Sequence, residues 1–401
     1  MLEAYIYDGA RTPIGRQDGA LSRVRPDDML GDVIKAVVAR AGFKPEAIDD
    51  VNIGCVSQAG EDSRNVGRHA MLRAGLPIEI PANTINRLCG SGMNALIAGA
   101  HAITCGEADI SVTGGVESLT RAPFVVGRAD GPFPKRIESY VASLGARFPN
   151  PKIEAAFGDD TMPQTADNLA RDFQLTREQC DIYALASQHK FAAAQKAGFY
   201  KDEILAVLVP AAKKGAPETK VEIDEHPRPE TTMEGLQKLK AIFKDGVTTA
   251  GNASGINDGA GVLIIGSAKA GERAGVKPRG RILATAVAGV APRVMGFGPV
   301  PAAQKALQRA GLELKDMDII EINEAFAAQV LACLKGLNLS VDDKRVNPNG
   351  GAIAVGHPLG ASGSRIALTA LRQLERTGGK RALVSMCIGV GQGIAMVIER
   401  V

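Results

Sequence analysis

The chain has no tryptophan, few aromatic residues and little net charge, and each shortage excludes a class of function. Only 4% of its 401 residues are aromatic, which argues against a stacking platform for single-stranded nucleic acid. The formal net charge is +3, and basic residues are interspersed with acidic ones. No stretch is apolar for long enough to span a membrane. We therefore expect neither a nucleic-acid partner nor a membrane partner.

Paired cysteine spacing is also missing. The six cysteines stand at positions 55, 89, 105, 180, 333 and 387 without a CxxC pair, so neither a metal site nor a disulfide framework is predicted. The opening "MLEAYIYDGARTPIG" lacks the pattern of a signal peptide and predicts a first strand that runs into a turn. These features predict a cytoplasmic protein with reduced thiols.

The chain is rich in glycine, with 46 residues, and it shows an ordered internal similarity. The segment "GFKPEAIDDVNIG" matches "GLELKDMDIIEIN", "TINRLCGSGMNAL" matches "RVNPNGGAIAVGHPLGASGSRIAL", and "ADISVTGGVES" matches "RALVSMCIGVG". Because the order is the same in both halves, a duplicated α/β domain is predicted. Its buried strands favour two stacked, mainly parallel sheets that are covered by helices on both faces.

A different region separates the two halves. Residues 121–247 are rich in proline and charge and contain two helical patterns, which predicts an inserted cap. We therefore predict an N-terminal half at 1–120 that is completed by 248–270, a cap at 121–247, and a C-terminal half at 271–401. Long insertions in α/β enzymes commonly cover the strand ends where ligands bind.

The stretch "INRLCGSGMNAL" places Cys89 between an extended run and a helical pattern. Free N–H groups and the positive end of the helix dipole at such a corner favour a thiolate, the nucleophilic form of cysteine. Cys89 is therefore a candidate nucleophile held as a thiolate. The alternative is a small buried apolar residue, the usual role of a free cysteine.

Three further candidates lie at strand ends or glycine-rich corners. His357 in "GGAIAVGHPLGASG" is either a general base or a loop histidine bonded to backbone carbonyls. Cys387 in "SMCIGVGQG" ends a strand where a ligand can approach the backbone, or it is another core cysteine. Asn323 in "EINEAFAAQVLACL" either caps the following helix or fixes a water molecule. The glycines of "GVGQG" do not indicate a dinucleotide loop, because a strand follows them.

Six motifs follow one another along the chain: "NRLCGSG", "GGVES", "NASGINDGA", "NEAFA", "NPNGGAIAVGHPLGASG" and "CIGVGQG". In this order they resemble the thiolase family over essentially the whole chain. The resemblance implies a duplicated αβαβα layered fold with two stacked mixed sheets and an inserted cap domain. The neighbourhoods "AGEDSRNVGRHA", "GGVESLTRAPFVVG" and "DTMPQTADN" look most like the degradative thiolases that act on 3-oxoadipyl-CoA.

The resemblance implies a role for each candidate. Cys89 would take the acyl group, His357 would accept its proton, and Cys387 would act as the second acid or base. Asn323 would hold a water molecule that serves the enolate together with His357. The backbone N–H groups of Cys89 and Gly389 would serve the acyl thioester.

Coenzyme A and acyl-CoA are implied as substrates, with no permanently bound cofactor. By similarity, Ser254 would contact pantetheine, Arg228 would lie on the phosphate side, and Met162 is the methionine of the cap. Arg228 is otherwise a surface charge and Ser254 a turn residue. Thr161 stands where biosynthetic acetoacetyl-CoA thiolases have a histidine, which disfavours that class. The segment "SLGARFPNP" replaces an expected "GWRF" run.

The leading hypothesis is an acyl-CoA:acetyl-CoA C-acyltransferase that cleaves 3-oxoadipyl-CoA through a Cys89 acyl-enzyme. A dicarboxylyl group calls for a cation, for which Arg121, Arg128 and Arg147 are available. The alternatives are a general 3-ketoacyl-CoA thiolase of β-oxidation, an acetoacetyl-CoA thiolase, or a protein that binds acyl-CoA without turnover. A ketosynthase-like condensation would need a second histidine where Cys387 stands. The resemblance also implies a homodimer or homotetramer.

Overall fold

The structure, a computed structural model, describes residues 2–129, 131–133, 135–143, 145 and 147–401. Its strands are β1 (Ala4–Arg11), β2 (Gly15–Arg16), β3 (Asp50–Gly54), β4 (Ala82–Ile85), β5 (Ile110–Ser118), β6 (Phe124–Val126), β7 (Ser139–Val141), β8 (Val207–Val209), β9 (Thr219–Val221), β10 (Asn257–Gly266), β11 (Gly280–Gly289), β12 (Ile319–Ile322), β13 (Arg381–Ile388) and β14 (Gln392–Arg400).

The helices complete the chain between these strands. They are α1 (Pro26–Ala41), α2 (Val66–Arg73), α3 (Ser91–Cys105), α4 (Pro151–Phe157), α5 (Met162–Asp172), α6 (Arg177–Lys196), α7 (Met233–Gln237), α8 (Ala268–Ala274), α9 (Pro299–Ala310), α10 (Ala327–Gly336), α11 (Ala352–Val355) and α12 (Leu359–Thr377). Short 3₁₀ helices cover Pro45–Ala47, Pro292–Phe297 and Leu314–Asp316. None of the helices in the described ranges is long and apolar enough to cross a membrane.

Ten strands of the described chain form one mixed sheet in the order β12-β13-β14-β11-β1-β10-β5-β3-β4, with β2 beside β10. Strand β3 is parallel to β4 and β5, and β12 is parallel to β13, whereas the remaining pairs are antiparallel. The expectation of a mainly parallel sheet is therefore wrong. Residues 389–391, which join β13 to β14, are too few for the crossover that a parallel pair needs.

The predicted duplication is confirmed by the strand order. Strands β3, β5, β10 and β1 neighbour one another in the same way as β12, β13, β14 and β11. The two matched segments that lead into β3 and β12 each contain a 3₁₀ helix before the strand. The two half-sheets are not separate, because Ala4–Ile6 of β1 pairs with Gly280–Ile282 of β11.

The helices divide the fold into the predicted αβαβα layers. Helices α3 and α12 lie in the middle, where their apolar side chains pack with strands of both halves in one buried cluster. Helices α1 and α2 cover the N-terminal strands, and α9 and α10 cover the C-terminal strands. The fold class inferred from the resemblance is thereby confirmed.

The two central helices approach each other closely where they begin. A Cβ atom added to Gly363 would lie 2.9 Å from Cα of Met93, and one added to Gly92 would overlap the carbonyl oxygen of Gly360. Backbone therefore packs directly on backbone at this crossing, which glycine alone allows without displacement. The crossing holds the N-terminal ends of α3 and α12 side by side.

The region between the halves contains two hairpins and four helices within its described residues. Helices α5 and α6 match the two predicted helical patterns, and both contribute side chains to the buried cluster around α10. The proposed limits of a cap at 121–247 remain a prediction. Leu144 and Ala146 of the "SLGARFPNP" segment lie outside the described residues.

Candidate active site

Cys89 lies at the corner that the sequence predicted. Strand β4 ends at Ile85, α3 begins at Ser91, and between them Leu88 adopts a left-handed backbone with φ of 46°. The Leu88 N–H donates to Oδ1 of Asn86 at 2.9 Å, which helps to hold this turn. The turn presents a half-buried cysteine at the start of a helix.

The charge state of Cys89 differs from the expectation. Burial raises the pKa of the Cys89 thiol to about 11, and the backbone N–H groups of Gly389 and of Cys89 itself oppose only part of that rise. Desolvation thus outweighs the helix N-terminus, because a buried thiolate loses its hydration. The structure therefore favours a resting thiol where the sequence predicted a thiolate. The thiol needs a base.

His357 is buried in the loop before α12, and its hydrogen bonds determine its tautomer. Its backbone N–H donates to Oδ1 of Asn257 at 2.9 Å, and its Nδ1 lies 2.6 Å from Oγ of Ser362. The Ser362 hydroxyl also lies 3.2 Å from the carbonyl oxygen of Pro358, which can only accept. We assign the Ser362 proton to Pro358 and the histidine proton to Nδ1, which leaves the lone pair of His357 on Nε2, opposite the Nδ2 donor of Asn323.

The Nε2 atom of His357 faces Asn323. The distance from Asn323 Nδ2 to His357 Nε2 is 3.5 Å, which is a long contact. The ring nitrogens of His357 thus face the side chains of Asn323 and Ser362, and not backbone carbonyls as in the alternative interpretation of the sequence. Burial and, to a smaller extent, the nearby Arg365 guanidinium lower the pKa of His357 to about 3. The ring is therefore neutral, with Nε2 available to accept a proton.

Asn323 follows β12 directly, but it does not cap the next helix. Helix α10 begins at Ala327 after the N-cap residue Phe326, and no side chain caps it. The Asn323 side chain turns instead to His357, and its Oδ1 is buried without a hydrogen bond to the described residues. This buried amide oxygen is consistent with the predicted water-binding role, because a buried acceptor normally has a partner.

Cys387 lies near the end of β13 and close to Cys89. Burial raises the pKa of the Cys387 thiol well above its usual value, and the nearby Cys89 and Cys333 raise it further. The next corner residue, Gly389, directs its backbone N–H towards the Cys89 thiol. A Cβ atom added to Gly389 would lie 3.4 Å from the Leu88 side chain. The predicted pair of N–H groups, from Cys89 and Gly389, thus converges on one sulfur atom.

The three residues assigned to the coenzyme A side occupy different positions. The sulfur of Met162 lies 3.5 Å from the place of a Cβ atom on Gly389, so this side chain borders the Cys89 corner. Ser254 is half-buried, and its N–H donates to the Ala325 carbonyl at 2.9 Å, next to Asn323. Arg228 is exposed, and its N–H donates to Oε1 of Gln188 at 2.9 Å. Arg228 therefore lies at the surface.

The sequence did not predict the role of Glu117. This buried carboxylate accepts backbone N–H groups of Val56 at 3.0 Å, Ser57 at 2.9 Å and Gly360 at 3.0 Å, so it joins a loop of the N-terminal half to the start of α12. Burial raises the pKa of Glu117 to about 7, although those N–H groups oppose the rise. The signal available in the sequence was the acidic residue of the motif "GGVES" within an otherwise uncharged strand, because a buried acid normally has specific partners.

Comparison with known proteins identifies the family. Residues 4–269 match the family model "Thiolase, N-terminal domain", and residues 276–400 match "Thiolase, C-terminal domain". The chain belongs to the thiolase family. The beta-ketoadipyl-CoA thiolase of Acinetobacter baylyi is 53% identical to this thiolase over 403 residues, with all of both chains covered. The 3-oxoadipyl-CoA/3-oxo-5,6-dehydrosuberyl-CoA thiolase of Escherichia coli is 54% identical, again over all of both chains.

A solved structure shows the same fold. Human mitochondrial 3-ketoacyl-CoA thiolase in complex with CoA has a TM-score of 0.92 and 42% identity to this thiolase, and the match covers 100% of this chain and 98% of the human chain. Thiolases act on CoA thioesters, so an acyl-CoA is the substrate class of this chain. The fold and the enzyme class inferred from the six motifs are confirmed.

Proposed function

We propose that this thiolase cleaves 3-oxoadipyl-CoA with coenzyme A to give acetyl-CoA and succinyl-CoA. The proposal is supported by relatives at 53% and 54% identity whose names state this substrate. The observation that supports the chemistry is the proximity of two neutral thiols, Cys89 and Cys387, together with a neutral His357 just before the neighbouring helix α12. These groups can donate and accept the protons of a carbon–carbon cleavage without a metal ion.

In the first half-reaction the Cys89 sulfur attacks the 3-oxo carbon of the substrate and its proton passes to Nε2 of His357. The bond between carbons 2 and 3 then breaks, and the thiol of Cys387 protonates the departing acetyl-CoA carbanion. The products are a succinyl thioester on Cys89, free acetyl-CoA and a Cys387 thiolate. We assign the N–H groups of Cys89 and Gly389, which approach the Cys89 sulfur, to the charge that develops on the acyl oxygen.

In the second half-reaction coenzyme A removes the acyl group. The CoA thiol transfers its proton to the Cys387 thiolate and attacks the thioester, and the departing Cys89 sulfur regains its proton from His357. The enzyme returns to its starting state. We assign Met162, which borders the Cys89 corner, and Ser254, which bonds to Ala325, to the pantetheine arm. We assign the exposed Arg228 to the phosphate end.

The proposal is tested by thiolysis of three substrates, 3-oxoadipyl-CoA, acetoacetyl-CoA and 3-oxooctanoyl-CoA, followed through the loss of the 3-oxoacyl-CoA enolate absorbance. We expect the highest kcat/KM with 3-oxoadipyl-CoA. Cys89→Ala should abolish turnover and the succinyl adduct seen by intact-protein mass spectrometry. Cys105→Ala, which removes the exposed cysteine at the other end of α3, should retain both.

The outcomes separate the alternatives. A higher kcat/KM with 3-oxooctanoyl-CoA would favour a general 3-ketoacyl-CoA thiolase, and preference for acetoacetyl-CoA would favour the short-chain class. Tight acyl-CoA binding without turnover or adduct would replace the catalytic proposal by a binding protein.

We further propose that this thiolase works in the cytoplasm as a homodimer or homotetramer, with residues 121–247 as its cap. The cap supports association, because Phe124, Phe133 and Ile137 leave 75%, 91% and 71% of their surface exposed in a single chain. Sedimentation velocity measures the state directly, and a monomer at micromolar concentration would contradict this proposal.

A further inference from the structure

The acyl group of the proposed substrate carries a second carboxylate, which needs a partner in the protein. A neutral acyl pocket would bury this charge at a high cost, so a cation or several hydrogen-bond donors must meet it. The sequence offers arginines at 121, 128 and 147 for this role. Their contacts distinguish them.

Arg147 is half-buried and reaches the loop beside the nucleophile. Its Nη1 donates to the Ser57 carbonyl oxygen at 3.2 Å. The preceding carbonyl, that of Val56, accepts from Nδ2 of Asn86 at 3.2 Å, and Asn86 in turn holds the Leu88 N–H next to Cys89. Two successive carbonyls of one loop therefore connect the Arg147 guanidinium to the Cys89 turn.

The remaining donors of Arg147 are available. Among the residues that the structure describes, no carboxylate forms an ion pair with Arg147, and its Nε and Nη2 atoms donate no hydrogen bond. Two acids of this region already have partners. Glu61 pairs with Arg25 and Arg121, and Glu117 accepts three backbone N–H groups.

A second donor of the same loop also lacks a partner. The Ser57 hydroxyl is buried, and its Oγ has no hydrogen bond to the described residues. Native proteins rarely leave such a group unpaired, so an oxygen-bearing ligand is the expected partner. A carboxylate offers two oxygens, one for the guanidinium fork and one for the hydroxyl.

The other arginines are less suitable. Arg121 is committed to Glu61 through both Nε and Nη2, and Arg128 is exposed. Arg87 is closest to Cys89 in sequence, but its Nε and Nη1 donate to the amide oxygens of Asn94 at 2.7 Å and Gln392 at 3.1 Å.

We propose that Arg147, together with the Ser57 hydroxyl, binds the terminal carboxylate of the acyl group and so selects dicarboxylyl over neutral 3-oxoacyl substrates. This inference rests on the proposed function, because only a substrate with a terminal carboxylate would use it. The carboxylate keeps its charge throughout the reaction. The contact is therefore made equally in ground and transition states and appears mainly in KM.

The test compares 3-oxoadipyl-CoA with 3-oxohexanoyl-CoA, which has the same number of acyl carbons and a methyl group in place of the carboxylate. We expect Arg147→Met to lower kcat/KM for 3-oxoadipyl-CoA by about 30-fold or more, mostly through KM, and to change that for 3-oxohexanoyl-CoA by less than about threefold. Ser57→Ala should produce a smaller loss with the same selectivity. Arg128→Met and Arg87→Met are the matched controls and should preserve the wild-type preference.

The experiment distinguishes failure of the proposed function from failure of the inference about Arg147. If the wild-type enzyme does not prefer 3-oxoadipyl-CoA, the proposed function fails and this inference fails with it. If the wild type has that preference and Arg147→Met keeps it, only the inference is overturned. An equal loss on both substrates would assign Arg147 to holding the Ser57 loop and would also overturn it.

Discussion

At the scale of single residues, two opposing effects determine the charge of the Cys89 sulfur. The start of α3 and two backbone N–H groups favour a negative sulfur, whereas burial disfavours it, and burial prevails because the pKa rises to about 11. The resting sulfur is therefore a neutral thiol. In the proposed mechanism its attack depends on proton transfer to His357 and not on a preformed ion pair.

This balance predicts the alkylation profile of Cys89. In a Cys105→Ala background, which removes the exposed thiol, the iodoacetamide rate at Cys89 should rise about tenfold per pH unit between pH 8 and 10, because only the thiolate reacts and its fraction grows below the pKa. The rate is measured by peptide mass spectrometry. If the alkylation rate did not increase between pH 8 and 10, Cys89 would already be a thiolate at pH 8, which would contradict this prediction.

The tautomer of His357 gives a second prediction. Ser362→Ala removes the acceptor of Nδ1–H, so part of the enzyme would carry its proton on Nε2 and kcat should fall about 10- to 100-fold. Ser364→Ala is the matched control, because its buried hydroxyl lies against the carbonyls of Gly261 and Ala361 instead. Steady-state kinetics with both variants checks this. Equal losses would mean that only packing was disturbed.

The sequence singles out candidate reactive residues more readily than residues that position them. Cys89, His357 and Cys387 stand at glycine-rich corners with chemically distinctive side chains, so local pattern and resemblance were sufficient to propose them. Glu117 has no such local signal, because its partner Gly360 lies 243 positions away. Ser362 lies only five residues from His357, but a serine in a glycine-rich loop is not chemically distinctive. The charge state of Cys89 was misjudged because burial is not visible in a linear pattern.

At the scale of elements, the site depends on the crossing of α3 with α12. Cys89 precedes one helix and His357 the other, and Gly92 and Gly363 let the two backbones touch. The spacing between the proposed nucleophile and the proposed base is thus set by the main chain and not by side-chain packing.

This crossing predicts the effect of a single methyl group. Gly363→Ala would place Cβ 2.8 Å from Cβ of Met93, so the helices must separate and the free energy of unfolding should fall by about 2 kcal/mol. Chemical denaturation measures the loss, and kcat should fall with it. Gly131→Ala is the control, since nothing lies within 4 Å of its added Cβ. If Gly363→Ala is as stable as the wild type, the two helices have room for an added methyl group at their crossing, and this account is contradicted.

Element order was predicted more successfully than strand direction. The matched segments predicted equivalent strands β3 and β12 and equivalent strands β5 and β13, and the sheet contains them in equivalent places. Direction was misjudged because buried strands of either orientation have the same apolar composition. The pairing of β1 with β11, which joins the half-sheets, is a long-range contact without a local signal.

At the scale of the whole molecule, a buried network of salt bridges links the inserted region to the first strand. Arg11 of β1 is 1% exposed and pairs with Glu203 and with Asp224, whose Oδ1 lies 2.6 Å from Nη1. Asp224 also accepts the Ile14 N–H at 2.8 Å. Removing the guanidinium would leave two buried carboxylates without a cation.

We therefore expect Arg11→Met to lower the free energy of unfolding by about 3–5 kcal/mol. Urea denaturation measures this loss. Arg16→Met, at a half-exposed pair with Glu225, should cost less than about 1 kcal/mol. Similar losses for both variants would contradict this account.

The central position of α12 has a consequence for biosynthesis. Residues 359–377 leave the ribosome after almost nine-tenths of the chain, yet they cover the apolar face of α3 and strands of the N-terminal half. Until then Met93, Leu96 and Ile97 lack the side chains of α12 that pack with them in the folded protein. We expect the nascent chain to recruit chaperones along this face and to complete its folding only near release.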